Sequence, residues 1–394
     1  MVKKQNKAWL VFVFLQFHLS PFLAYEYRTD ALRTRTPSPS NAYLALQSWK
    51  SAIISDPFGV TTTWVGPNVC TYKGVFCSSS IPMASDQVVF SIDLNHAQLG
   101  GTLVQELSYL ADLSILHLNS NNFSGSIPDT FSDLINLTEL DLSNNQFSGP
   151  FPSVVLRLPR LVFLDLRYNR FSGAIPYELF ALGLDAIFLN DNEFAGQIPM
   201  SLGSSFASVI NLANNNFSGS LPTNFGYIGS RLREILFFNN EFTGCIPEGV
   251  GLFTQMVVLD LSFNSLRGEL PSSLACLSGI EVLNVAHNEF FGFLPDVLCS
   301  IKSLFNLTVS YNFFSGVSQE CSRLGYRNVG FDVTGNCISG RKMQRPLPEC
   351  AGFEGEFSCI RVPSADLPPS LCRALVQENF MNPGTDLPPY FSSP

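Results

Sequence analysis

One pattern, L-x-x-L-x-L-x-x-N-x-F-x-G-x-I-P, recurs along this chain and restricts its fold more than any other feature. Clear copies begin at Leu113, Leu137, Leu161, Leu184, Ala207, Leu232, Met256, Ile280 and Leu304, and a weaker one opens near Val89. The Asn returns at Asn121, Asn145, Asn169, Asn192, Asn215, Asn240, Asn264, Asn288 and Asn312, in steps of 23 to 25 residues. Chance does not keep nine copies in phase. A period of this size belongs to chains whose units stack in a row, each burying its apolar side only against its neighbours. The 394 residues are therefore read as one long array with covered ends, not as two or three ordinary domains.

Each position of the pattern has a physical task. In L-x-L successive side chains alternate inward and outward, and stacking the units pairs these short strands into one parallel sheet at about 4.8 Å per unit. The Asn turns the chain away from the sheet. Its amide is expected to bond backbone groups of its own and the next coil, satisfying atoms that would otherwise be orphaned. The Phe two residues later should form an internal spine of Phe123, Phe147, Phe171, Phe194, Phe217, Phe242, Phe290 and Phe314, with Leu266 as the one substitution. That spine explains eight of the 35 Phe. The next Gly, from Gly125 to Gly316, falls where the backbone needs room or a positive φ. The Pro of I-P cannot donate to a ladder, so the outer side is held in extended and short helical turns. The predicted fold is an α/β leucine-rich-repeat solenoid: a curved right-handed superhelix of about ten repeats, with a parallel β-sheet on the concave face and disulfide-bearing caps.

A solenoid exposes two ends, and both need covers. Residues 41–87 are read as the N-terminal cap, opening with a helix near Asn41 that carries Tyr43, Leu44, Leu46, Trp49, Ile53 and Ile54 and stops before Pro57. The array is assigned to 88–316, a Cys-rich C-terminal cap to 317–372 and a loose, Pro-containing tail to 373–394. Upstream, residues 1–24 read as a secretory signal, with Lys3, Lys4 and Lys7 before the mostly apolar Ala8 to Leu19, and residues 25–40 as a flexible arm. The apolar stretch is shorter than the roughly 20 residues a spanning helix needs, and no later segment is expected to cross a membrane. Ten cysteines without a C-x-x-C pair point to disulfides in an oxidising compartment, and neither a metal nor a cofactor is expected. Cys70 and Cys77 should close a small loop, and Cys299 with Cys321 is a reasonable pair. Cys276 and Cys299 occupy nearly equivalent places in adjacent coils and compete. Cys337 and Cys350 are also expected to be bonded, whereas the partners of Cys245, Cys276, Cys359 and Cys372 stay open.

The stretch from Ala42 to Cys77, A-Y-L-A-L-Q-S-W-K-S-A-I-I-S-D-P-F followed by T-T-T-W-V-G-P-N-V-C-T-Y-K-G-V-F-C, closely resembles the N-terminal cap of the plant leucine-rich-repeat extensins. Further likeness lies in F-L-D-L-R-Y-N (Phe163 to Asn169), L-D-A-I-F-L-N (Leu184 to Asn190), V-L-N-V-A-H-N (Val282 to Asn288) and G-N-C-I-S-G-R (Gly335 to Arg341). Two departures matter. The long Ser-Pro repeats of that family are absent, and Ser220 stands where the family tends to carry the partner of Cys245. The resemblance implies a module of the extracellular matrix or cell wall that binds a basic, cysteine-rich peptide hormone of the rapid-alkalinisation type, often as a homodimer. Association with wall polysaccharide would be indirect.

The x positions around L-x-L are the outward ones on the concave sheet. We take Asp141, Asp165, Tyr168, Phe188, Asp191, Phe238, Asp260 and Phe263 as candidate ligand-binding residues, within a wider set that includes Glu139, Phe163, Arg167, Glu234, His287 and Tyr311. Carboxylates dominate this face, and the net charge of −9 becomes about −12 once three signal lysines are removed. Such a wall steers basic partners inward, and aromatic positions supply anchors. L-D-L-S is also the commonest filler of such repeats, so a stripe of Asp is equally consistent with a plain solvated surface. Nucleic acid is disfavoured by charge. Catalysis finds no G-x-S-x-G, H-E-x-x-H or G-x-x-x-x-G-K. Four sequons are candidate glycosylation sites, at Asn122, Asn136, Asn216 and Asn306, the last on the concave face. The competing functions are an enzyme inhibitor similar to the polygalacturonase-inhibiting proteins and a structural pectin-associated wall protein. The cap lacks the Trp that usually precedes Gly-Val in those inhibitors, and acidic charge opposes direct attraction to pectin.

Overall fold

The computed structural model describes residues 39–79, 87–225, 231–353, 358–359 and 372. The expected signal, residues 25–38 of the expected arm and the tail lie outside these. Each L-x-L becomes a three-residue strand, and the strands stack in register, so that Leu140, Leu164, Ile187 and Ile210 lie side by side in successive coils. The resulting sheet has 12 strands, parallel from Gln87–Asp93 to Gly330–Asp332, with Val75–Ser79 added antiparallel at the N-terminal edge.

The recurring Asn makes this stacking specific. In Asn192 the side-chain Oδ1 accepts the Phe171 N–H of the preceding coil at 3.0 Å, while Nδ2 donates to Leu166 O of that coil at 2.9 Å and to Leu189 O of its own at 3.1 Å. Asn145, Asn169, Asn215, Asn240, Asn264, Asn288 and Asn312 repeat the arrangement. The amide therefore ties its own coil to the one before it, not to the one after. Immediately before each Asn, a residue in the left-handed region turns the chain, including Asn144, Tyr168, Asp191, Phe263, His287 and Tyr311 at φ 53° to 55°. L-residues pay roughly 1–2 kcal/mol for that conformation. Here their N–H groups are used by the next coil, as when Tyr168 donates to Asn190 O at 3.0 Å.

The Phe spine is present and buried. Rings from Phe123 to Phe242 stack at 6.1–6.5 Å, and Trp49 of the N-terminal helix Pro39–Ala52 closes the row at 5.7 Å from Phe123. Leu46 and Trp49 of that helix are buried, whereas Tyr43, Leu44 and the following Ile54 are exposed. The F-x-G segments do more than the pattern suggested. They form a second, 11-stranded sheet along the flank of the solenoid, running from Gly100–Thr102 to Phe313–Val317 and joined at its start by Ile53–Ser55. On the outer side, Pro128, Pro176, Pro199, Pro247 and Pro271 each stand in extended conformation just before a 3₁₀ turn.

One further coil lies inside the segment assigned to the C-terminal cap. Gly330–Asp332 extends the inner sheet, and Asn336 accepts the Phe314 N–H at 3.0 Å. The pattern is masked there because Asn328 occupies the usual leading Leu position and Phe331 replaces the second Leu. Five disulfides complete the fold among the described residues: Cys70–Cys77 and Cys299–Cys321 as expected, with Cys337–Cys350, Cys245–Cys359 and Cys276–Cys372. Cys245 thus finds its partner 114 residues downstream, which removes the difficulty posed by Ser220. The chain after Cys350 doubles back along the flanking sheet: Phe353 stacks on Phe313 at 3.8 Å, and Cys359 lies over Gly268, where any Cβ would meet its sulfur.

Replacing Asn192 with Ala leaves a buried backbone N–H and two carbonyls short of partners, so a loss of about 2–4 kcal/mol is expected. Urea unfolding monitored by circular dichroism should show a lowered midpoint. A midpoint within error of the parent would remove the amide ladder from its central place.

Candidate ligand-binding face

Because every coil enters the inner sheet in the same register, outward side chains form rows. One row closes the strands: Asp93, His117, Asp141, Asp165, Phe188, Asn211, Leu236, Asp260, Asn284, Thr308 and Asp332. At Asp93, Asp141, Asp165, Asn211, Asp260, Asn284 and Asp332 the side-chain oxygen accepts the backbone N–H two residues on, at 2.9–3.1 Å. This local bond satisfies the end of each strand. Much of the acidic stripe therefore has a structural cause. Asp141 and Asp260 are half-buried and take a second bond from the Ser143 and Ser262 hydroxyls, and Asn284 donates to Asp260 at 3.0 Å. Burial pushes the Asp260 carboxyl above its usual range, opposed by those bonds.

His117, Phe188, Leu236 and Thr308 break the rule, and the first two are each built into something else. His117 Nε2 lies 3.0 Å from Glu139 Oε2. That hydrogen bond raises the imidazole against the opposing effect of burial, with Glu139, Asp141 and Asp93 adding charge, and lowers the Glu139 carboxyl. Phe188 stands in register beside Asp165, its ring 5.8 Å from Phe163, and the Arg167 guanidinium lies over it at 5.1 Å.

Asp165 corrects the sequence expectation. Placed among the solvent-facing acids, it is fully buried, because Phe163, Arg167 and Phe188 are all larger than their counterparts around Asp141 or Asp260. Burial raises its carboxyl to about 7, with nearby Asp141 adding to the rise and Arg167 opposing it. Tyr168 is exposed on the rim of this cluster, its hydroxyl pushed up by burial and by the neighbouring Asp191 charge. Asp191 itself is engaged, accepting from Asn190 at 2.7 Å and Asn214 at 2.9 Å, while Asn239 donates to Asn214.

A second aromatic group occupies the same rim further along. Phe263, His287 and Tyr311, each just before the recurring Asn, stack at 4.0 and 4.2 Å. Gly335 takes the corresponding place in the next coil, where a Cβ would press to 2.7 Å from the Tyr311 ring. Burial lowers the His287 imidazole, reinforced by Arg345 and opposed by Asp332. Phe263 and Tyr311 are about half exposed, and Phe238 is half-buried nearby in sequence. The candidate residues thus fall into two aromatic clusters and a set of strand-end acceptors. The stack as a unit escaped the sequence reading, although its signal was there: an aromatic ring before Asn in three successive copies.

The sequons divide between faces. Asn122 and Asn216 are exposed at the starts of flanking strands, and Gln146 donates to Asn122. Asn136 donates to Ala111 O at 2.9 Å and accepts from Arg160. Asn306 lies on the inner sheet and accepts from the Thr308 hydroxyl.

Comparison with known proteins agrees with this architecture. Residues 39–78 match the family described as leucine rich repeat N-terminal domain, and 111–171, 208–228 and 255–277 match leucine rich repeat families. An Arabidopsis thaliana protein named leucine-rich repeat extensin-like protein 7 is 66% identical over 228 residues, covering 58% of this chain and 53% of its own length. Leucine-rich repeat extensin-like protein 6 of the same plant is 56% identical over 318 residues, covering 80% of this chain and 67% of its own. The chain therefore spans about half of one relative and two thirds of the other. Among solved structures, the ectodomain of the Arabidopsis receptor kinase HAESA, in complex with an N-terminally extended IDA peptide hormone, superposes with a TM-score of 0.65 at 30% identity over 75% of this chain and 50% of that one. Among the described residues no helix is long and apolar enough to cross a membrane.

His117 and His287 should titrate on opposite sides of the ordinary 6.5, His117 above it and His287 below. The His117–Glu139 contribution to stability is then complete below pH 6.5 and fades as pH rises through the raised imidazole value. It is also lost below pH 4.5 as Glu139 protonates. Both groups are partly exposed, so about 0.5–1 kcal/mol is expected. Proton–carbon NMR of the histidines in the parent and in Glu139→Gln reads this directly; no downward move of His117 in the variant would contradict it.

Proposed function

We propose that this chain, which belongs to the leucine-rich repeat extensin-like family, is an extracellular binding protein that holds a protein or peptide ligand against its concave sheet. The observation that carries this reading is the pair of aromatic clusters, Phe163–Phe188 with Arg167 and Phe263–His287–Tyr311, held together on the open face of the sheet, whereas the Phe spine is packed away inside. Partly exposed rings held rigidly on a concave wall are the kind of group that supplies binding energy at interfaces, since they lose little freedom on contact. Around them the carboxylates of Glu139, Asp141, Glu234, Asp260 and Glu281 set the sign of the partner. A basic, cysteine-rich peptide of the rapid-alkalinisation type fits both features, and its binding would act on wall growth or integrity. The HAESA ectodomain, similar in fold, is a peptide-hormone complex and supports the same class of ligand.

Nothing in this arrangement requires chemistry. His117 is paired with a carboxylate rather than a nucleophile, and His287 is sandwiched between rings. The protein is proposed to bind and not to catalyse, in the cell wall or the extracellular space that its family name implies.

Titration of the secreted protein with basic cysteine-rich peptides, at low and high salt, tests the proposal. Binding that weakens with salt is expected, and Phe263→Ala should cost tenfold or more, about 1.4 kcal/mol. Inhibition of a fungal polygalacturonase without peptide binding would replace this reading with the inhibitor one. Unchanged affinity in Phe263→Ala and Phe188→Ala together would move the ligand off the concave sheet.

A further inference from the structure

The middle of the concave face holds a carboxylate in an unusual position. Asp165 is fully buried, yet among the described residues its Oδ2 has no hydrogen bond. Arg167 Nε stands 2.9 Å from that oxygen, close enough for an ion pair but too poorly aligned to donate. The reason lies in the chain. Arg167 is only two residues beyond Asp165, just past the end of the strand Phe163–Asp165, and its own backbone N–H already occupies Oδ1 at 3.1 Å. Tethered so closely, the guanidinium cannot turn its forked end onto the carboxylate. It lies instead across the Phe188 ring, with the side chain still 38% exposed.

A guanidinium arriving from outside has no such tether. Approaching along the open side of the sheet, it could present two parallel N–H donors to one carboxylate, the geometry in which Arg pairs most strongly, and keep the aromatic contact with Phe188. Among the described residues the Arg167 guanidinium holds only this pair and the contact with the Phe188 ring; its carbonyl, which accepts from Asn144 and Asn169, belongs to the backbone and need not move. We propose that Asp165, with Phe188 and Phe163 as walls, is a subsite for an arginine side chain of the ligand, filled in the free protein by Arg167, which the ligand displaces. Arg167 then acts as a built-in competitor. This subsite rests on the reading of the concave sheet as the docking surface, but it can be tested without any peptide.

The probe is methylguanidinium, with methylammonium as the control of equal charge and no fork. At pH 8, where the Asp165 carboxyl is ionised, Arg167→Ala should bind methylguanidinium saturably, seen as a concentration-dependent rise in Tm, and should bind methylammonium at least about fivefold more weakly. The parent should respond about tenfold less, because Arg167 competes, and Asp165→Asn in the Arg167→Ala background should not respond. An acetyl-Arg-Gly-Arg amide should likewise bind Arg167→Ala more tightly than the parent. If Arg167→Ala does not fold, Arg167→Gln, which keeps a polar chain without charge, takes its place in the same comparison. Equal response to both cations, or an unaltered response when Asp165 is changed, overturns the subsite. Should methylguanidinium bind as expected while no basic peptide binds the parent or Arg167→Ala, the subsite stands and the peptide reading falls; peptide binding without a methylguanidinium response has the reverse meaning.

Discussion

The side-chain amide of the recurring asparagine does what apolar packing alone cannot. Leu and Phe rows would stack at any register that buried them, since dispersion and the hydrophobic effect are not directional. An amide with one acceptor and two donors is directional. In Asn169 the acceptor takes the Phe147 N–H and the donors reach Leu142 O and Leu166 O, which are equivalent atoms in two adjacent coils. Sliding one coil by a residue would break the two that cross to the preceding coil, in a site closed to water. A left-handed residue precedes each of these amides and turns the chain so that Nδ2 comes under the strand carbonyls. Everything on the concave face inherits its position from this ladder.

That inheritance explains why the face carries so much Asp without all of it being functional. A strand of three residues ends abruptly, and a carboxylate that caps the N–H two residues on is an economical way to end it. Asp93, Asp141, Asp260 and Asp332 do so. Against that background the informative positions are the exceptions. Phe188 replaces the cap with a ring, and Asp165 keeps the cap but is buried by its oversized neighbours. Charge alone would have treated Asp141 and Asp165 as equivalents; both cap their strands, but their surroundings leave one half-buried and the other fully enclosed, its carboxyl raised to about 7.

The solenoid, its parallel inner sheet and its Phe spine were legible because each follows from a period-bound position repeated nine times. The same logic failed where repetition stops. Gly330–Asp332 was assigned to the cap since Asn328 and Phe331 fall on positions that elsewhere hold Leu. The flanking sheet was overlooked because N-F-S-G reads as a turn until neighbouring coils are laid beside it. Disulfides within one coil or between neighbours, such as Cys70–Cys77 and Cys299–Cys321, could be reasoned from spacing. Cys245–Cys359 could not, since it depends on the chain reversing direction after Cys350. On the concave face, which residues point outward was readable, but not how large neighbours would close over Asp165.

The reversal also separates the two sheets in what they can do. On the flanking sheet, Phe353 lies on Phe313 and beside Phe291, Arg345 covers the Phe313 ring at 4.3 Å, and Cys359 sits against Gly268. Further toward the N-terminus the same sheet exposes Asn122 and Asn216, both in sequons. Its surface is thus already claimed by the returning chain at one end and open to glycan at the other. The concave sheet has the opposite character: its strands pair in register and most of their ends are capped, while the rings of Phe263 and Tyr311 and the Arg167–Phe188 contact remain at the surface. A rigid wall with its strands paired and its aromatic groups unspent loses little entropy when a partner arrives, and that is the physical case for placing recognition there.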